Sequence, residues 1–307
     1  MKLVIPGGSG HVGAVLVRHF HARGDEVVIL SRRDGGWDGK TIGAWVAEID
    51  GADVVINLAG RSVNCRYDAA HLKEMMDSRV DSTRVIGQAI AAATDPPKLW
   101  LQSSTATIYS HRFDAPNDEA TGILGGDEPG APPKWIASIK IAKAWEAALG
   151  EADTPGTRKV AMRSAMTMSI DRGSVFWTLA KLTKLGLGGR LGTGKQFVSW
   201  IHEHDFAAAV QFLVDREDID GAVNISSPNP LPQAEFARNL CQALHVPVGL
   251  PALGWMVEIG CALMKTESEL VLKSRRVVPG RLLAAGFQFR YPSWPEAAQE
   301  LAGRVTF

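Results

Sequence analysis

The segment LVIPGGSGHVGAVLVRHF, residues 3 to 20, carries glycines at two overlapping spacings, Gly8-x-Gly10-x-x-Gly13 and Gly7-x-x-Gly10-x-x-Gly13. Glycines so spaced let a backbone come close to a pyrophosphate, whose charge is then held by the free N–H groups opening a helix. A dinucleotide is therefore expected against Gly7, Gly8, Ser9, Gly10, His11, Val12 and Gly13. The competing reading is that these glycines only make a tight strand-to-helix turn. The next apolar run ends in VVILSRRD, which puts Ser31, Arg32 and Arg33 at a strand end. A carboxylate at this point would bind the adenosine ribose and repel a 2′-phosphate, whereas arginines attract that phosphate. NADP(H) is the expected cofactor; Asp34, close to the spacing of a ribose carboxylate, keeps NAD(H) as the alternative.

Such a loop works only between a strand and a helix, and the surrounding pattern supplies both. KLVIP (2–6), EVVIL (26–30), DVVINLA (53–59), KLWLQSS (98–104) and RKVAMR (158–163) are nearly unbroken apolar runs. Strands covered on both faces of a parallel sheet read this way. Amphipathic stretches such as HVGAVLVRHFHARG, LKEMMDSRVDSTRVIGQAIAAA and WIASIKIAKAWEAALGEA separate them, each long enough to cross back over the sheet. The order predicts an α/β fold with a doubly wound (Rossmann) parallel sheet. Past residue 165 come a Gly-rich segment LGLGGRLGTGKQ (185–196), a helix FAAAVQFLVD and a returning strand GAVNIS (221–226); helical signals dominate from Pro228. Residues 1–227 are thus expected to form the nucleotide-binding domain, with 166–200 shaping a substrate cleft, and 228–307 a small, mainly helical C-terminal region.

Composition narrows the partners. The 307 residues are 46% hydrophobic, enough for a substantial core, and 33 Lys plus Arg balance 33 Asp plus Glu. No basic field favours nucleic acid. No apolar run reaches the ~18 residues that span a bilayer. Cys65, Cys241 and Cys261 lie far apart, and MKLVIPGG shows no basic, apolar leader; a cytoplasmic protein is expected.

The Gly7/Gly10/Gly13 loop, NLAG (57–60) and SSTATIY (103–109) together make the chain resemble the extended, or atypical, short-chain dehydrogenase/reductases, in their cofactor loop, fourth-strand motif and fifth-strand end. More narrowly, it is similar to a sugar-nucleotide epimerase subgroup with a C-terminal domain of unknown function, which includes proteins linked to bacterial or plastid division. DSRVDSTRVI (77–86), AKAWEAA (142–148), LGLGGRLGTGKQFVSWIHEHD (185–205) and RRVVPGRLLAAGFQFRYPSW (275–294) carry that closer match. The resemblance implies cofactor contacts at Leu58, Ala59, Gly60 and Ser103, and puts the substrate-orienting hydroxyl on Thr105, with Ser104 beside it. In the superfamily a Tyr then exchanges the proton, and a Lys four residues on lowers its pKa and holds the nicotinamide ribose; one helix face presents both.

That pair is missing. Tyr67, Tyr109 and Tyr291 are followed four residues later by His71, Phe113 and Pro295, so no Tyr-x-x-x-Lys occurs. With Glu146 aligned on the family's acidic position, Ser138 falls on the Tyr site and Ala142 on the Lys site, while Lys140 and Lys143 are out of register. A serine hydroxyl without a lysine is a poor acid at neutral pH. Tyr109, four residues past Thr105, is the candidate substitute, the alternative being an aromatic that packs its loop. Arg163, at the end of the family's sixth strand, is expected to orient the nicotinamide side, or else to hold the following loop. Lys195 and Gln196 are candidates for an anionic substrate group. His202, His204 and Asp205 invite a metal reading but lack a third ligand and its support, so a structural role is expected and no metal. Trp135, Trp145, Trp200 and Trp294 are read as burying apolar surface, the alternative being that they line a cleft between the two regions.

The expected function is that of an NADP(H)-binding oxidoreductase or epimerase acting on a small molecule. The alternative is a non-catalytic NADP(H)-sensing regulatory module, which the missing Tyr and Lys favour. By analogy with the superfamily, a homodimer through the helices at 68–92 and 135–149 is the expected assembly.

Overall fold

The computed structural model describes residues 1–307 apart from Gly35 and the side chain of Asp34. The alternative reading of Asp34 as a ribose ligand therefore lies outside the described residues. The apolar runs form β1 (Lys2–Pro6), β2 (Glu26–Leu30), β3 (Val54–Asn57), β4 (Leu99–Thr105), β5 (Arg158–Ser164) and, after the short strands β6 (Met166–Met168), β7 (Phe197–Val198) and β8 (Trp200–His202), β9 (Gly221–Ile225). A two-residue β10 (Leu231–Pro232) pairs with β7, and β6 pairs with β8. The main sheet has the order β2-β1-β3-β4-β5-β9 and is parallel throughout. The doubly wound sheet expected from the sequence is what the chain forms.

The helices are α1 (His11–Ala22), α2 (Val46–Ile49), α3 (Ala69–Ala92), α4 (Pro133–Glu151), α5 (Val175–Lys184) and α6 (Glu203–Asp215). The C-terminal region adds α7 (Gln233–Ala243), α8 (Gly254–Leu263), α9 (Glu269–Leu272), α10 (Gly280–Ala284) and α11 (Trp294–Arg304). Alternate residues of β1 serve opposite faces, as a pleated strand requires. Leu3 and Ile5 meet Leu16, Phe20, Phe206 and Val210 of α1 and α6, while Val4 joins Ile86, Leu149 and Trp100 on the side of α3 and α4. NLAG begins at the last residue of β3 and SSTATIY at the end of β4, the third and fourth strands in chain order, where the apolar runs place them. Between β2 and β3 the described residues form a 3-10 turn, Arg32–Asp34, and α2, from which Trp37, Trp45 and Ile49 fill the core.

The C-terminal region grips the sheet. Leu282 and Phe287 enter the same core cluster as β9. Asn224 on β9 donates from Nδ2 to Val278 O at 2.9 Å, and the Arg281 guanidinium reaches the carbonyls of Asp220 and Ala222. Backbone groups of the sheet edge are thus covered. A second core forms where Trp294 stacks on Phe236, centroids 4.0 Å apart, and meets Trp200 edge-on. Among the described residues no helix is long and apolar enough to cross a membrane.

Candidate functional site

The glycine loop joins β1 to α1 at the carboxyl end of the sheet, where open α/β folds bind ligands. Gly7 adopts φ +78°, and a Cβ there would come within 2.7 Å of Ala59 N. A Cβ on Gly13 would lie 2.2 Å from Gly8 O, so only glycine lets α1 start this close beneath the loop. Gly10 caps α1 with no side-chain cap, and the first turn holds no acidic residue. The positive end of the helix is left for an anion. Ser9, Gly10 and His11 are exposed and Val12 is half-buried, the arrangement a pyrophosphate cradle needs.

The neighbouring strand ends complete the crevice. Asn57 is buried between the two chains it ties: its Nδ2 donates to Gln102 Oε1 at 3.0 Å on β4, and its Oδ1 accepts from Ala59 N at 3.0 Å. This fixes Leu58, Ala59 and Gly60 against Gly7. Arg32 and Arg33 are exposed at the end of β2, and Arg33 N donates to the buried Ser31 Oγ at 3.3 Å. On β4 the pleat turns Ser104 toward α4, where it donates to Glu146 Oε1 at 2.6 Å, and leaves Ser103 and Thr105 half-buried on the other face.

Three expectations are corrected here. Tyr109 turns inward, 2% exposed, among Ala106, Ile108, Ala142 and Val277. Its hydroxyl donates to Asn224 Oδ1 at 3.0 Å and accepts from Arg163 NH1 at 2.9 Å, and burial raises its pKa. A phenol so enclosed does not exchange protons with a ligand in the crevice. Arg163 is likewise engaged, forked onto Glu146 at 2.9 and 2.7 Å, and braces the sheet instead of reaching the nicotinamide side. Gln196 is buried and bonds the carbonyls of Leu191 and Val271, so that of the two candidates only Lys195 is exposed.

Sequence reasoning missed what faces Thr105 from the C-terminal region. Thr105 Oγ1 accepts from Thr107 N at 3.1 Å, and Thr107 Oγ1 accepts from Arg275 Nε at 3.0 Å. Arg275 reaches Glu269 Oε1 at 3.4 Å, and that same oxygen lies 2.7 Å from Ser138 Oγ. The family's hydroxyl position and its Tyr position are thus joined through residues 269 and 275. Lys273 Nζ donates to Thr107 O at 2.8 Å and is 3.9 Å from Glu269; its fully enclosed amine is pushed down to about 7, chiefly by burial and then by Arg275. Glu269 Oε2 is sealed in the interior with no hydrogen-bond partner. Glu267, also buried, anchors the segment through Lys134 at 2.9 Å and Arg66 at 3.1 Å. The carboxylate and the amine are as enclosed as Tyr109, and of this group only the Ser138 hydroxyl is half-buried and able to exchange a proton outward. The signal was present in ESELVLKSRR, whose charges at 267, 269, 273 and 275 recur on alternate or i, i+4 positions, but nothing local says they are buried.

His202, His204 and Asp205 serve the structural role expected. His202 caps α6 by accepting from His204 N and pairs with Glu300 at 2.8 Å, while Asp205 accepts the N–H groups of Arg290 and Tyr291. Among the described residues no three His, Cys, Asp or Glu side chains are grouped to hold a metal. A groove of about 590 Å³ beside Arg158, Lys159 and Gly221 lies at the amino ends of β5 and β9, away from this chemistry.

These features define a dinucleotide-fold protein with a strand-end hydroxyl site, and comparison with known proteins agrees. The chain matches the model of the NAD dependent epimerase/dehydratase family over residues 3–226 and a domain of unknown function, DUF1731, over 254–301. It belongs to that epimerase/dehydratase family. It is 32% identical to the epimerase family protein SDR39U1 of Bos taurus over 98% of this chain and 99% of the relative. It is 30% identical to the epimerase family protein MW0731 of Staphylococcus aureus, covering 98% of each. Among solved structures, human SDR39U1 (isoform 2) with NADPH superposes with a TM-score of 0.85 at 28% identity, over 99% of this chain and all of that one. A nucleoside-diphosphate sugar epimerase from Corynebacterium glutamicum gives 0.76 at 26% identity, over 99% of this chain and 58% of that one.

Proposed function

We propose that the protein binds NADP(H) in the glycine crevice and acts as an oxidoreductase or epimerase on a small molecule in the cytoplasm. The observation that carries the reading is the convergence of Thr105, Ser138, Glu269 and Lys273 at the carboxyl ends of β4 and the start of α4. The cofactor half rests on the loop geometry and on Arg32 and Arg33, and on the NADPH held by human SDR39U1. NADP(H) supplies or accepts the hydride; Gly7 to Gly13 hold its pyrophosphate, and Arg32 and Arg33 its 2′-phosphate. Thr105 orients the substrate oxygen. Ser138, half-buried at the family's Tyr position with its hydroxyl on Glu269 Oε1, takes the place of that phenol in carrying the proton. The balanced charge argues against nucleic acid as a partner, and a homodimer through α3 and α4 is the assembly proposed.

A second reading has one observation in its favour: Lys273 and Glu269 are enclosed, 0% and 1% exposed at their side chains, as suits a bound sensor better than an open active site. Screening alcohols, aldehydes, ketones and sugar nucleotides for NADPH consumption or epimerisation separates the two. Turnover that Thr105→Ala abolishes supports the enzyme; NADPH binding with no turnover across the panel supports the sensor.

A further inference from the structure

Arg79, in the third turn of α3, is a buried cation with no acid. Its residue is 9% exposed, and among the described residues it makes no ion pair and has no carboxylate acting on it. Of five guanidinium N–H groups, one is accounted for by NH1 donating to Met75 O at 3.0 Å, and the Trp145 ring lies beneath the plane, 4.9 Å from Cζ to centroid. Burial pushes the group down to about 10, so at neutral pH the charge persists without a counter-ion. Buried charges are ordinarily paired. None of the remaining Arg79 nitrogens is sealed off without a partner, so they border accessible space.

The position of that space is fixed by Gly60. A Cβ on Gly60 would meet Arg79 Cζ at 3.3 Å and Nε at 3.5 Å, so the guanidinium lies directly against the last residue of the Asn57–Gly60 loop. Trp145, on which it rests, is one turn beyond Ala142 on α4. Ala142, the position where the family carries its lysine, is 1% exposed and presents only a methyl group. A cation is therefore missing from α4, and an unpaired one arrives from α3 one helical turn away, between Trp145 and Gly60.

We propose that Arg79 holds the vicinal hydroxyls of the nicotinamide ribose, the contact that Ala142 cannot make. The inference rests on the NADP(H) reading above and extends it. A planar guanidinium presents two parallel N–H groups, a geometry matched to two adjacent oxygens. The absence of a side chain at Gly60 leaves that edge uncovered, which gives the NLAG glycine a purpose beyond the turn.

The test is calorimetric titration of the full chain with NADPH and, separately, with adenosine 2′,5′-bisphosphate, which carries the adenosine and 2′-phosphate but no nicotinamide half. Arg79→Met is expected to weaken NADPH by about tenfold to a hundredfold, the worth of a charge-assisted contact, and the bisphosphate by less than about twofold. Arg79→Lys should regain part of the loss for NADPH alone. Equal weakening of both ligands would overturn the proposal in favour of mere support for the Gly60 loop, as would unchanged NADPH affinity. Should the Met variant not fold, the ratio of the two affinities in Arg79→Lys decides: a fall toward the bisphosphate supports the contact, and an unchanged ratio removes it. Wild-type protein that binds neither ligand would strike the cofactor reading itself, which is seen before any variant is made.

Discussion

Ser138 Oγ lies 2.7 Å from Glu269 Oε1, so the position where the family's phenol would project from α4 is closed by a carboxylate from the C-terminal region. The hydroxyl also faces Trp135 O at 2.9 Å, and its single proton serves two acceptors. The site has been rebuilt around this contact, not merely stripped of a tyrosine.

Restoring the lost motif should therefore fail. In Ser138→Tyr/Ala142→Lys the phenol meets Glu269 and the lysine enters the packed cluster of Ala106, Ile108 and Tyr109. Overpacking alone costs about 1–3 kcal/mol, and an added buried ammonium costs more. Urea denaturation is expected to show a loss of at least that size; a double variant as stable as the wild type would contradict the closed geometry.

Lys273 should write itself into the pH dependence of stability. Its folded pKa, about 7, lies below the ordinary lysine value of 10.5. Between those values the unfolded chain holds the proton and the folded one does not, so stability rises with pH there, by at most ~1.4 kcal/mol per unit. Below about pH 7 both states are protonated and the burial penalty is fully felt. In Lys273→Met this rise between pH 7 and 10 should vanish, as followed by thermal melts across that range.

Tyr109→Phe should damage the fold without touching the cofactor. Removing the hydroxyl strands Asn224 Oδ1 and one Arg163 N–H in the interior, a cost of about 1–3 kcal/mol. NADPH affinity should stay within about twofold. A variant of wild-type stability that loses turnover would return Tyr109 to the catalytic role that its burial argues against.

The parts of the fold that were legible are those governed by short-range pattern. The apolar runs 2–6 and 158–163 became β1 and β5 with scarcely a shifted end, because burial on both sheet faces imposes the same rule on successive residues, and 26–30 became the half-exposed edge strand β2, legible from its β-branched run alone. The loop glycines were legible because a forbidden Cβ leaves a trace in composition. Tyr109 and Arg163 misled because they are near Thr105 in sequence and strand register, yet the pleat and the loop after β4 turn them toward Glu146 and Asn224. Glu269, Lys273 and Arg275 were invisible for the opposite reason: Lys273 and Arg275 meet Thr107 across more than 160 positions of chain and Glu269 meets Ser138 across 131, and a charged stretch gives no sign that it will be buried. Arg79 was hidden within an ordinary amphipathic helix.

The central claim is the NADP(H) crevice, and calorimetric titration of the purified protein with NADPH and NADH, repeated on Arg32→Ala/Arg33→Ala, tests it most directly. Wild-type protein should prefer NADPH by about tenfold or more, through the 2′-phosphate, and the double variant should lose that preference while keeping its NADH affinity. Binding of neither nucleotide, or a preference untouched by removing both arginines, would contradict the account.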